Sequence, residues 1–208
     1  MRTVLITVAV LGSLLVSTLA QERSAPKKPP TFAESVETAK KAVEADKLGA
    51  AIAALQAALT DLQKKQRVAV LTALPKPDGW QVEDQAVDEQ AETLTAGMLG
   101  GTFAATRHYS QGEKSMHVEV TANSPLLQMG LAALFNNQAL ITADGGELVK
   151  YGQHKAILKK SGDKGQELSI LMYDAHLIKV TSEGMTADEL LKVFDQACID
   201  RLEKPLGR

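Results

Sequence analysis

The segment Glu147–Thr181, ELVKYGQHKAILKKSGDKGQELSILMYDAHLIKVT, decides the fold class, because it reads as successive β-strands joined by short polar turns. Leu168, Ile170 and Met172 alternate with Ser169, Leu171 and Tyr173, the period of two that gives a strand two unequal faces. Upstream, the run His154 to Lys160 is separated from it by the glycine-bearing turn Ser161-Gly162-Asp163-Lys164-Gly165. Downstream, Asp174 and Ala175 reverse the chain into His176 to Thr181. Short turns of this kind join antiparallel neighbours, so a three-stranded meander is predicted. The turn Asp144-Gly145-Gly146 leads into it through a further strand at 147–151, and no catalytic motif lies within it.

The same signs continue outward. Gly97, Gly100 and Gly101 precede a strand at 102–109, the wrong context for a dinucleotide loop, and Ser110-Gln111-Gly112-Glu113-Lys114 turns it into a second strand at 115–122. Ser124-Pro125 opens a helix whose Leu126, Leu127, Met129, Leu131, Leu134 and Phe135 are apolar over much of its circumference, so it is expected to be buried. Thr186 and Glu189 form a capping box for a closing amphipathic helix that runs to about Leu202. Hairpin-linked strands with helices collected elsewhere predict an α+β fold, an antiparallel β-sheet with packing helices, and argue against a parallel doubly wound sheet.

Ahead of this lies a segment of different composition. Residues 1–20 have the pattern of a cleaved secretory signal, with Arg2 at the start, an apolar run over Val4–Val16 and the small residues Thr18 and Ala20 before the cut. The run is shorter than the ~20 residues of a spanning helix, so no transmembrane span is expected after cleavage. Residues 21–30 are a Pro-rich tether. Residues 31–74 form an N-terminal α-helical hairpin: Thr31 and Glu34 make a capping box, Phe32, Val36, Ala39 and Val43 recur at helical spacing, and Ile52, Leu55, Leu59 and Leu62 continue after a break at Asp46-Lys47-Leu48-Gly49. With its run of small alanines the pair resembles a single helix pair of the tetratricopeptide type, and no second copy follows. Pro75 and Pro77 end the helix. Residues 75–101 read as a linker, acidic and polar from Gln81 to Ala96, and residues 102–208 as the antiparallel α+β domain.

Composition excludes several classes of function. The net charge is -2, or -3 once the segment with Arg2 is removed, and no run of like charge offers a nucleic-acid or anionic-membrane surface. Cys198 is the only cysteine, expected in the terminal helix as a buried, inert thiol. The acidic stretch lacks the glycine and alternating oxygen ligands of a calcium loop.

The histidines, arginines and apolar helix positions supply the candidate functional residues. A β-hairpin pairing symmetrically about Gly112 sets position 107 opposite 117, which sends His108 and His117 to opposite faces and prevents a shared metal. The same register places Arg107 near Glu119 as a surface ion pair, with anion binding as its functional alternative. Ser124 has no nucleophile elbow around it. No catalytic residue, cofactor or metal ligand is therefore assigned. Binding or packing roles fall to Trp80, Arg107, Leu127 and Leu134.

The residues Gly79-Trp80, Arg107 to Glu119, Gly152 to Ile157 and Leu168 to Leu191, in that order of elements, resemble the PsbP-like α/β/α sandwich of exported proteins over roughly residues 80–202. The resemblance implies a binding or accessory module and transfers no site residues. The resulting expectation is a non-catalytic binding module of the cell envelope with a protein partner. The alternatives are a carrier of a small apolar ligand between the sheet and the Leu126–Phe135 helix, and a hydrolase or metal enzyme.

Overall fold

The structure, a computed structural model, describes residues 29–86, 102–125, 127 and 135–207. Two helices, α1 (Phe32–Glu44) and α2 (Leu48–Ala73), precede one antiparallel sheet. Its strands are β1 (Gln81–Asp84), β2 (Phe103–Gln111), β3 (Lys114–Ala122), β4 (Gly146–Tyr151), β5 (His154–Ser161), β6 (Gly165–Met172) and β7 (His176–Glu183). Three short helices complete the described elements: α3 (Gln138–Ala143), α4 (Ala187–Val193) and α5 (Gln196–Glu203). The fold is α+β, with the helical hairpin ahead of the antiparallel sheet as the sequence predicts.

The spatial order β1-β2-β3-β7-β6-β5-β4 joins two meanders through the β3–β7 pair. Alternation then sorts side chains between two faces. Phe103, Ala105 and Tyr109 of β2 share the core face with Val118 and Val120 of β3, Leu168, Ile170 and Met172 of β6, and Ile178 and Val180 of β7. Against them pack Leu190 of α4, Phe194, Cys198, Ile199 and Leu202 of α5, and Leu206. The opposite face carries Thr106, His108, Ser110, His117, Glu119, Lys179 and Thr181, none of them buried. Toward its β4–β5 end, Phe135 and, from α3, Ile141 line a cavity with Ile157, Ser169 and Leu177.

Both expected capping boxes are present, Thr31 with Glu34 and Thr186 with Glu189. The expected closing helix is divided, however. Phe194 leaves helical geometry and Asp195 caps a new start, its carboxylate accepting the Cys198 N–H at 2.8 Å. Cys198 is buried, and that burial pushes its thiol up to about 12.

Two further expectations are corrected. Residues 81–84 are not connector but the edge strand β1, paired with Arg107–Ser110 of β2. The β2–β3 turn is not centred on Gly112: Gln111 pairs with Lys114, so the loop is the two residues Gly112-Glu113, with Gly112 at φ +61°. A shift of this size reassigns every cross-strand partner. The remainder of the acidic stretch, the glycines at 97–101 and most of the helix expected after Pro125 lie outside the described residues.

α1 and α2 run antiparallel, with the Phe32 N–H donating to the Asp61 carboxylate at 3.1 Å. Their seam is made of small side chains: Ser35, Ala39 and Ala42 on α1, Ala51 and Ala58 on α2. Farther along, α2 joins the sheet. Arg67 Nε donates to the Ala104 carbonyl at 2.9 Å, Gln66 reaches the Pro205 carbonyl at 2.7 Å, and Val70 and Leu74 enter the main core.

Candidate functional site

The hairpin turns its large apolar side chains outward. Phe32, Val36 and Val43 on α1 and Leu48, Ile52, Leu55, Leu59 and Leu62 on α2 are all exposed, Leu48 at 59% and Ile52 at 58%. On α2 the spacing is four, three, four, three, the seam of a helix that packs knobs into holes. At about 100° per residue, each stripe lies about 75° around its helix from the alanine seam. Because the helices are antiparallel, the two offsets carry both stripes to the same side, and the hairpin presents one apolar face. With whole-residue areas of about 150–200 Å² for these types, it leaves roughly 700 Å² uncovered, above the largest patch of a typical monomer.

The sequence identifies these apolar positions but not their direction. Ordinarily the large residues of an amphipathic helix face its neighbour. Here alanines take that place, since small side chains let the two backbones approach closely, and the leucines are displaced by most of a quarter turn. The readable signal is the pairing of alanines at 51 and 58, one heptad apart, beside the leucine stripe.

Of the four residues singled out from sequence, none of the three that are described, Trp80, Arg107 and Leu127, belongs to this face. Trp80 is partly buried against the core and meets Tyr109 edge-on, ring centroids 6.5 Å apart. The Tyr109 hydroxyl donates to the Pro75 carbonyl at 2.9 Å, tying the hairpin exit to β2. Leu127 is buried. Leu134 lies outside the described residues.

Arg107 is not a surface partner of Glu119. The register places it opposite Val118 on the core face, 3% exposed, where Nε and Nη2 donate to the Asp84 carboxylate at 2.5 and 3.0 Å. Burial works most strongly against its charge, and the hydrogen bonds it donates to Asp84, together with the charges of Asp84 and Tyr109, outweigh that in sum, so its pKa is raised. The pair fastens the four-residue edge strand β1 to the sheet, with the guanidinium buried on the core face. Glu119 stands on the other face, opposite Thr106 and Lys179.

The register also overturns the separation of His108 and His117. They are direct cross-strand partners on the open face, Nδ1 to Nδ1 3.1 Å, ring centroids 4.4 Å apart. Burial, then the neighbouring His108, holds the His117 pKa below its ordinary value, so the ring is neutral at neutral pH.

A separate polar cluster lies at the other end of the sheet. Buried His154 places Nε2 2.8 Å from Glu203 Oε1, and the Tyr173 ring stands edge-on to both His154 and His176, at 5.0 and 6.3 Å. His154 and Tyr173 line a cavity of about 300 Å³ with Phe135, Asn136, Gln153, Lys155, Leu171 and Asp174. A histidine oriented by a carboxylate is the base half of a nucleophilic dyad. The described lining contains no Ser, Thr or Cys for it to activate. His176, at the edge of the cluster, accepts the Asn123 N–H through Nδ1 at 3.1 Å and hydrogen-bonds the Leu206 backbone.

Comparison of the chain with known protein families, curated proteins and solved structures finds no match.

Proposed function

We propose that the chain is an exported, non-catalytic binding module of the cell envelope that docks a helical surface of another envelope protein on the apolar face of its α1–α2 hairpin. The observation that carries this reading is the outward stripe Leu48, Ile52, Leu55, Leu59 and Leu62, flanked by Phe32, Val36 and Val43. Soluble monomers rarely keep so large an apolar face without a partner. Its area of roughly 700 Å² approaches the ~800 Å² that each side contributes to a standard interface. Its four-three spacing fits a helix that supplies apolar residues at the same repeat. A lone helix pair of this kind is completed by another such pair or an equivalent helical layer, and no second copy of the pair occurs in the sequence given. The signal-like residues 1–20 support export. Among the described residues no helix is long and apolar enough to cross a membrane.

The carrier reading places its ligand between the sheet and the Leu126–Phe135 helix, most of which lies outside the described residues; the described cavity at the end of that segment, about 220 Å³, is lined by Phe135, Ile141, Ile157 and Leu177 but also by Asp144, Lys159, Glu167 and Lys179. It is smaller than the ~300–1,000 Å³ of small-molecule pockets and carries four charged side chains, which disfavours an apolar ligand.

Stoichiometric capture from the native envelope, repeated with Leu55→Asp and Leu59→Asp, tests the docking face. The expected result is a partner retained by the wild type and by the sheet-face variant Glu119→Gln, and lost by both leucine variants. Capture that ignores the leucine substitutions, or sedimentation showing that the face is consumed by a second copy of the chain, overturns the proposal.

A further inference from the structure

We propose that His108 and His117 form a two-imidazole site for a divalent transition-metal cation of the Zn²⁺ or Cu²⁺ kind on the open face of the sheet. The distance between the two rings carries the inference. Imidazole nitrogens bind such a cation at about 2.0–2.1 Å, so two of them subtending about 100–110° at the metal lie about 3.1–3.4 Å apart. The Nδ1 atoms stand 3.1 Å apart. The backbone holds this spacing, because direct cross-strand partners in a paired ladder keep their Cβ atoms close without any loop closing over them.

In the metal-free state one Nδ1–H donates to the other Nδ1. Moving that proton to Nε2 of its own ring frees both lone pairs without changing the charge of the site. The rings are reachable from solvent, His108 being exposed and His117 half-buried. Glu83, opposite His108 on β1, and Glu119, two residues along β3 from His117, are the carboxylates nearest in the register and favour a cation. Lys179, opposite Glu119 on β7, opposes it. Among the described residues no cluster of three His, Cys, Asp or Glu side chains is arranged to hold a metal, and the proposed site takes the two imidazoles as its protein ligands with water in the remaining positions. The site therefore captures and releases the ion readily and differs from a closed structural centre. Soft thiolate selection is absent, and imidazole suits Zn²⁺, Cu²⁺ and Ni²⁺ over Mg²⁺ or Ca²⁺.

Calorimetric titration of the full chain with ZnCl₂ tests the site, using wild type, His108→Gln, His117→Gln and the double variant. One equivalent should bind the wild type, each single variant should bind about tenfold or more weakly, and the double variant should not bind. A second readout needs no variant: substoichiometric Cu²⁺ should broaden the imidazole resonances of His108 and His117 first. No binding by the wild type, equal binding by the double variant, or broadening that begins at His154 or His176 overturns the assignment.

Discussion

Gly165 shows how narrowly one residue is constrained. It closes the β5–β6 turn opposite Ser161, and a Cβ there would stand 2.3 Å from the Ser161 carbonyl oxygen and 2.7 Å from that of Ser182. Both obstacles are backbone, so Gly165→Ala should lower stability by about 1–3 kcal/mol in denaturant melts. A melt equal to wild type would mean that the turn relaxes freely. His176 constrains pH in a similar way. Burial lowers its pKa below 6.5, so as pH falls below that value the unfolded chain takes up a proton that the folded chain refuses. Stability is full above about 6.5, declines as pH drops below it, and levels off at the folded value. His176→Asn should reduce that slope in melting temperature, leaving the part due to His117, whose pKa is lowered in the same sense. A slope unchanged in the variant would place the titration elsewhere. At this scale the sequence is least informative: whether the β2–β3 turn holds one residue or two cannot be told from Ser110 to Lys114. That single residue decides whether His108 meets His117 and whether Arg107 is buried.

Elements were far more legible, because their signals are periodic. The alternation at 168–172 places Leu168, Ile170 and Met172 on one side, and all three are fully buried. Replacing Ile170 with Asp should unfold the sheet, since a buried unpaired carboxylate costs several kcal/mol; thermal melting followed by circular dichroism checks it. An intact melt would show that the strand's buried face can admit water. The two capping boxes were equally plain, as each writes its own hydrogen bonds into a four-residue pattern. Elements whose cause is tertiary stayed hidden. β1 has four exposed residues and no alternation of its own; it exists because Asp84 reaches buried Arg107 and because Trp80 and Tyr109 meet at its start. Likewise Asp195 reads as one more polar position on a helix until its carboxylate is seen capping α5.

At the scale of the whole molecule, α2 belongs to two environments. Its second half supplies Val70 and is followed by Leu74 in the core of the sheet, while its first half runs beyond the sheet with α1 at its side. A chain starting at Gln63 keeps Arg67, Val70 and Leu74 and should fold. One starting at Pro75 loses two buried aliphatic side chains and should be less stable by about 4 kcal/mol or more. Comparing the two by urea denaturation checks the division, and equal stability would make the hairpin a separable appendage. The overhang is also where composition misleads. Leucines in a helix normally announce a core, and here they announce a surface, because alanines have taken the interior of the hairpin. Whether that surface is an interface is best tested by photo-crosslinking in the native envelope from a reactive residue placed at Ile52 or at Leu59, seven residues apart on one stripe. A docked helix should yield adducts to one partner at two sites also one heptad apart, opposite in order if the helices run antiparallel. Adducts scattered over many proteins, adducts to the chain itself, or none at all would contradict docking through the hairpin.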